Sequence, residues 1–192
     1  MRRITGILLA AGSGSRFGGQ KLLHPLTDGT PLGVAAARNL LAVLPHSVAV
    51  VRAGDEMLPE LLAAEGMRLV ANRRADRGLS ASLAVGVAAS ADADGWIVML
   101  ADMPFIRTTT IQHILALLER GAPLAAPSYR GLRGHPVGIG RAFRDELLAL
   151  TGDQGAREIL FENDGLLELL EVDDAGVLID VDTPEDIAAC LS

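Results

Sequence analysis

Short apolar runs alternate along the chain with longer stretches in which apolar and polar positions recur at helical spacing, the pattern of β-α-β units in a largely parallel sheet. Residues 7–10 read as the first strand, 32–44 as a helix closed by Pro45-His46, and 47–52 as the second strand. A helix over 57–65 and a third strand over 68–71 follow, then a helix over 80–89 whose small residues suit close packing on a sheet. Residues 95–101 form the clearest central strand and run into Asp102. Thr108, Thr109 and Thr110 offer a cap for a helix over 111–120, which Gly121 stops, and 124–127 is a further strand. Beyond it the alternation loosens. Residues 128–140 read as a basic loop, 142–150 and 156–163 as helices, and 166–172 and 177–181 as strands. Thr183 then caps a last helix, with Pro184 at its first position and Glu185 and Asp186 in its first turn. No internal repeat, coiled coil or low-complexity linker divides the 192 residues, so one domain is expected.

Composition narrows the partners. Apolar residues make up 49% of the chain but aromatics only 3%, as expected of alanine-, leucine- and valine-rich strands buried on both faces. The formal charge of −7 and a pI near 5.0 argue against a nucleic-acid partner, whose phosphates demand clustered lysine and arginine. Cations gather only locally, at Arg73, Arg74 and Arg77 and at Arg130 and Arg133, which suits a small polyanion or an ordinary solvated face. A single cysteine, Cys190, excludes an internal disulfide and a zinc cluster and fits a reducing cytoplasm. The N-terminal apolar segment is too short to span a membrane and lacks a cleavage site, so no membrane partner is expected.

The chemistry concentrates in a few segments. After the first strand, Leu9-Ala10-Ala11-Gly12-Ser13-Gly14-Ser15-Arg16-Phe17-Gly18-Gly19-Gln20-Lys21 is a loop with four glycines followed by spaced cations. Glycines allow positive φ and close approach of main-chain N–H groups to phosphate oxygens; Arg16 and Lys21 add charge. The spacing matches neither G-x-G-x-x-G nor the P-loop, since Phe17 stands at the third glycine and leucine follows Lys21. Asp102 ends an apolar strand and is placed to hold Mg²⁺ together with phosphate oxygens, or to cap the next segment. Asp180 and Asp182, two apart on an expected strand, would share one face, which is costly unless a cation sits there. Ser80 and Ser82 after Gly78 read as well as helix caps as ligand contacts. His135 is pinned between Gly134 and Pro136, whereas His24, His46 and His113 read as surface or packing residues. Asp153 reads on its own as a helix cap, and Arg157 as an exposed arginine.

Taken together, Leu9-Ala10-Ala11-Gly12 through Lys21, Gly78-Leu79-Ser80-Ala81-Ser82-Leu83, Leu100-Ala101-Asp102-Met103-Pro104, Gly134-His135-Pro136, Gly152-Asp153-Gln154-Gly155-Ala156-Arg157 and Asp180-Val181-Asp182-Thr183-Pro184-Glu185-Asp186 are arranged as in the molybdenum-cofactor nucleotidyltransferases, which the chain resembles nearly end to end. The resemblance implies a three-layer α/β/α Rossmann-like nucleotidyltransferase fold with a mostly parallel mixed sheet. Its N-terminal half would bind the nucleotide and its C-terminal half the acceptor. It also implies a catalytic set of Arg16, Lys21 and Asp102, with Leu9, Ala10, Ala11, Gly12, Ser13, Gly14, Gly78, Ser80 and Ser82 around the nucleotide. Asp102 and Asp182 would hold Mg²⁺, or Mn²⁺ in its place, with Asp180 in reserve. Gly134, His135, Pro136, Asp153 and Arg157 would serve the acceptor. Ala10-Ala11-Gly12 and Gly-Leu-Ser-Ala-Ser stand where guanylyl-transferring relatives show Ala-Gly-Gly and Gly-Pro-Leu-Ala-Gly, which favours the cytidylyl branch and CTP. The expected reaction is transfer of CMP from CTP to molybdopterin or molybdenum cofactor with release of pyrophosphate. Use of GTP, or a chaperone role toward a recipient molybdoenzyme, is the alternative.

Overall fold

The computed structural model describes residues 2–12, 20–183 and 186. Strand β1 (Ile4–Ala10) shows why the strands are apolar throughout. Ile7 and Leu9 point to one face of the sheet, where they meet Val50, Trp96, Val98 and helix residues Leu83 and Val87. Leu8 and Ala10 point to the other, against Ala49, Ile97, Leu40, Leu62 and Ile114. Both faces are covered, so neither parity along the strand can be polar.

Among the described residues the sheet has eight strands in the order β3-β2-β1-β4-β7-β5-β6, with β8 on the free side of β5. Strands β2 (Val48–Arg52), β3 (Arg68–Asn72) and β4 (Gly95–Leu100) join β1 in parallel. Strand β7 (Val137–Gly140) runs antiparallel between β4 and β5 (Leu124–Tyr129); β6 (Leu132–Arg133) folds back on the end of β5, and β8 (Leu167–Glu171) is parallel to it. Helices α1 (Leu32–Leu41), α2 (Met57–Ala64) and α4 (Thr108–Arg120) cover the Leu8 face; α3 (Leu79–Ala89), α5 (Arg144–Ala149) and α6 (Arg157–Glu162) cover the Ile7 face. The result is the expected three-layer α/β/α arrangement with a mostly parallel mixed sheet.

Helix α3 lies close on the sheet because of Gly86. A glycine inside a helix costs about 1 kcal/mol relative to alanine. Here, however, a Cβ would come within 2.7 Å of Ile7 Cγ2, and overpacking of that kind costs about 1–3 kcal/mol. The glycine is the less costly choice.

The structure departs from the sequence pattern in its second half. Residues 128–140, expected as loop, contain β6 and all of β7. The glycines of Val-Gly-Ile-Gly suggest a turn, yet a Cβ at Gly138 would lie 2.9 Å from Ile114 Cγ2, so the position is a close crossing of α4 over the sheet. Thr108, Thr109 and Thr110 lie inside α4 instead of capping it. The Thr110 hydroxyl donates to buried Asp174 at 2.6 Å, and the same carboxylate accepts from Arg107 N and Gly176 N. Residues 177–181 are not a strand. Asp174 bends the chain into a 3-10 turn (Ala175–Leu178), after which single hydrogen bonds replace a ladder: His135 N donates to Val177 O, and Val181 N to Asp102 O, each at 2.9 Å. Asp180 and Asp182 therefore do not share a strand face, and Asp180 is exposed. Helix α1 also stops at Leu41, three residues short of the expected end.

Candidate active site

The register Leu9↔Leu100 ends β1 and β4 at the same level, and Ala101 N donates to Leu9 O at 3.1 Å. Ala11-Gly12 and Asp102 thus leave the sheet side by side at the carboxyl ends of the strands, where open α/β sheets bind ligands. The bond from Val181 N to Asp102 O lays the C-terminal segment across the same edge and brings Asp182 to Asp102. Asp186 accepts from Asp182 N and Thr183 N at 2.9 and 2.7 Å, which fixes the turn that carries Asp182.

Lys21 sits between the two carboxylates. It opens a short 3-10 turn (Lys21–Leu23) behind Gln20, whose φ of 53° is left-handed. Its Nζ donates to Asp102 Oδ2 at 2.9 Å and to Asp182 Oδ1 at 2.7 Å, and its side chain is only 9% exposed. Burial opposes the ammonium charge, but the hydrogen bonds to Asp182 and Asp102 outweigh it and hold the Lys21 pKa above the usual lysine value. One cation bridging two carboxylates is also a test of whether the pair suits a divalent metal, and the donor set passes it. Two carboxylate oxygens with the remaining positions left to phosphate and water is the donor set that Mg²⁺ favours. No cluster of three or more histidine, cysteine, aspartate or glutamate side chains that would hold a metal occurs among the described residues.

The triad opens onto a cleft of about 1260 Å³. Leu9, Ala10, Ala11, Gly12, Lys21, Gly78, Ser82, Asp102, Asp153 and Asp182 of the expected site residues line it. Ser13, Gly14 and Arg16 lie outside the described residues. Ser80 does not line the cleft: it is fully buried, its N donates to Gly152 O at 3.2 Å, and its hydroxyl accepts from Gly155 N at 3.1 Å. Gly78 has φ +93°, and a Cβ there would collide with Asp153 Oδ1 and Gly152 O. The Gly78 and Asp153 segments, assigned to nucleotide and acceptor from sequence, are therefore one fastened wall. Ser82 accepts from buried Asn72 Nδ2 at 3.0 Å on the same wall.

Gly134, His135, Pro136 and Arg157 do not line the cleft; Arg157 is exposed at the start of α6. His135 is half-buried beside β4, and its Nδ1 is buried without a hydrogen-bond partner among the described residues. Burial lowers its pKa below the usual histidine value; the fields of Asp102 and Asp180 act the other way, and Arg133 reinforces the lowering. Sequence reasoning missed the opposite wall, made by Arg52, Gly54, Asp55, Glu56, Met57 and Glu60. The available signal was positional: these residues follow the carboxyl end of a parallel strand, as do Gly12 and Asp102.

The chain matches the model of the MobA-like NTP transferase domain over residues 6–166. It is 31% identical over 193 residues to nicotine blue oxidoreductase of Paenarthrobacter nicotinovorans, covering 96% of this chain and 94% of that protein. It is 26% identical to molybdenum cofactor cytidylyltransferase of Escherichia coli (strain K12), covering 97% and 94%. Among solved structures, Rv0371c from Mycobacterium tuberculosis superposes with a TM-score of 0.85 at 27% identity over 99% of this chain and 98% of that one. A complex of that protein with manganese gives 0.82 at 26% identity, with 98% of each chain covered.

Proposed function

We propose, from the premise that this chain belongs to the MobA-like NTP transferase domain family and is a nucleotidyltransferase, that it transfers CMP from CTP to the terminal phosphate of molybdopterin or molybdenum cofactor. The observation that carries the reading is the meeting of Lys21, Asp102 and Asp182 at the carboxyl edge of the sheet, beside the Gly12 loop and within one cleft. A phosphate oxygen of the acceptor attacks the α-phosphorus of CTP. The new P–O bond forms as the bond to the β-phosphate breaks, and its electron pair leaves with pyrophosphate. No covalent enzyme intermediate is required.

The chain's own work is positioning and charge. Backbone N–H groups at Gly12 receive phosphate oxygens, and Lys21, with Arg16 from the same loop, neutralises charge that builds on the leaving pyrophosphate. Asp102 and Asp182 would hold a divalent cation, which supplies further neutralisation on the phosphates when bound. The wall of Gly78, Leu79, Ser82 and Asp153 would orient donor and acceptor. Orientation of two bound reactants is worth about 7–11 kcal/mol in favourable cases. His135 and Arg157 lie outside the lining of the cleft and are assigned to a part of the acceptor that extends beyond it; the field of Asp102 reaches His135.

Likeness to a cytidylyltransferase, together with Ala10-Ala11-Gly12 and the Gly78–Ser82 segment, supports cytosine over guanine. The test is pyrophosphate release with molybdenum cofactor and each of the four nucleoside triphosphates in Mg²⁺. Turnover is expected with CTP. Faster turnover with GTP would replace the donor and keep the class. No turnover with any of the four would favour the carrier role, or the redox role that the Paenarthrobacter relative's name raises.

A further inference from the structure

We infer that Lys21 is the resident cation of the Asp102–Asp182 pair and that a metal ion enters only as Lys21 is drawn away onto phosphate, so that polyphosphate and metal bind cooperatively. The inference rests on the assignment of Asp102 and Asp182 as the metal-holding pair in the proposed transfer reaction.

One ammonium fills the place between one oxygen of each carboxylate. A single ammonium nitrogen contacts both Asp102 Oδ2 and Asp182 Oδ1, at 2.9 and 2.7 Å. A divalent ion bound by those oxygens would be in direct contact with the ammonium, and two positive charges at that distance in a partly buried site repel strongly. Metal binding therefore requires Lys21 to move. Its side chain is 9% exposed, so leaving the pair without a new partner would strand a desolvated ammonium. A polyphosphate in the cleft beside Gly12 provides that partner, and the freed carboxylates receive the metal. Each ligand removes the obstacle to the other, and the coupling is reciprocal by linkage. Conversely, in the absence of ligand the lysine offsets one of the two negative charges and lowers the repulsion between the carboxylates.

The arrangement predicts an effect opposite to the usual loss on removing a site residue. Mn²⁺ binding is measured by electron paramagnetic resonance, without nucleotide, for wild type, Lys21→Met, and Lys21→Met combined with Asp102→Asn. Lys21→Met is expected to bind Mn²⁺ at least tenfold more tightly than wild type, and the double variant is expected to lose that gain. Inorganic tripolyphosphate should increase Mn²⁺ affinity in wild type and do so less in Lys21→Met. Thermal midpoints give a second readout: Mn²⁺ should raise that of Lys21→Met more than that of wild type. Should Lys21→Met fail to fold without metal, recovery of its fold by Mn²⁺ supports the inference, and Lys21→Gln is measured in its place. Equal or weaker Mn²⁺ affinity in the folded neutral variants, relative to wild type, overturns the inference. Pyrophosphate release by wild type separates the two ideas. Turnover without the Mn²⁺ gain removes the lysine exchange and leaves the transfer reaction; the Mn²⁺ gain without turnover on any nucleotide does the reverse.

Discussion

The buried hydroxyl of Ser80 accepts the amide of Gly155 at 3.1 Å, joining segments 75 residues apart in the chain. The Gly78 turn and the Asp153 loop are consequently held together as one wall of the cleft. Ser80→Ala leaves the Gly155 N–H buried without its acceptor, at a cost of about 1–3 kcal/mol. A drop of that size in denaturant unfolding is expected, with weaker nucleotide binding because the Gly78 and Asp153 segments are then joined, among the described residues, only by the bond from Ser80 N to Gly152 O. Unchanged stability would show that the Gly155 amide finds water or another acceptor.

Asp102→Asn should reduce pyrophosphate release by about 10²–10³-fold, the scale seen on removing one well-placed electrostatic group. The fold should survive with a loss of about 1–3 kcal/mol, because Lys21 keeps Asp182 as a partner. Steady-state kinetics and a denaturation midpoint on the same preparation check both parts.

Gly138→Ala tests the close crossing of α4 over β7. The new methyl would lie 2.9 Å from Ile114 Cγ2 and 3.1 Å from Leu118 Cγ. Overpacking of a filled core costs about 1–3 kcal/mol, so the thermal midpoint should fall while Mn²⁺ affinity is unaffected. Gly12→Ala is the contrast for stability: nothing among the described residues lies within 4 Å of its Cβ position, so the fold should tolerate the change even if phosphate approach suffers.

His135 gives a pH prediction of definite sign. Burial holds its folded pKa below 6.5, so as pH falls through 6.5 the unfolded chain takes up this proton first. Stability attached to His135 is therefore present above pH 6.5 and declines below it until the folded pKa is reached. Lys21 acts at the other end. Its raised pKa contributes stability that is complete below 10.5 and is lost as pH rises through the folded value. The ring protons of His135 should titrate below pH 6.5 by NMR, and His135→Gln should flatten the acid limb of the stability curve. A ring that titrates at or above 6.5 would contradict the buried, unpartnered Nδ1.

The sequence by itself determined the α/β class, the β-α-β order of the first half and the segments where chemistry gathers. Strands sealed on both faces must be apolar at every position, as in residues 95–100, and that pattern needs no partner to be read. Asp102 was legible for the same reason: a charge at the end of such a strand stands out against it. The tertiary structure alone decided β7, because Gly138 serves the crossing of a helix, a requirement set by Ile114 and Leu118, at least 20 positions away. It decided the course of residues 174–182, where buried Asp174 binds the start of α4 and bends a β-like sequence into a turn. It also decided that Lys21, Asp102 and Asp182 meet, and that the Gly78 and Asp153 segments form one wall. Hydrophobic periodicity records which face of an element is buried, a local property; which distant polar groups satisfy one another depends on how the elements are stacked, and only the folded chain fixes that.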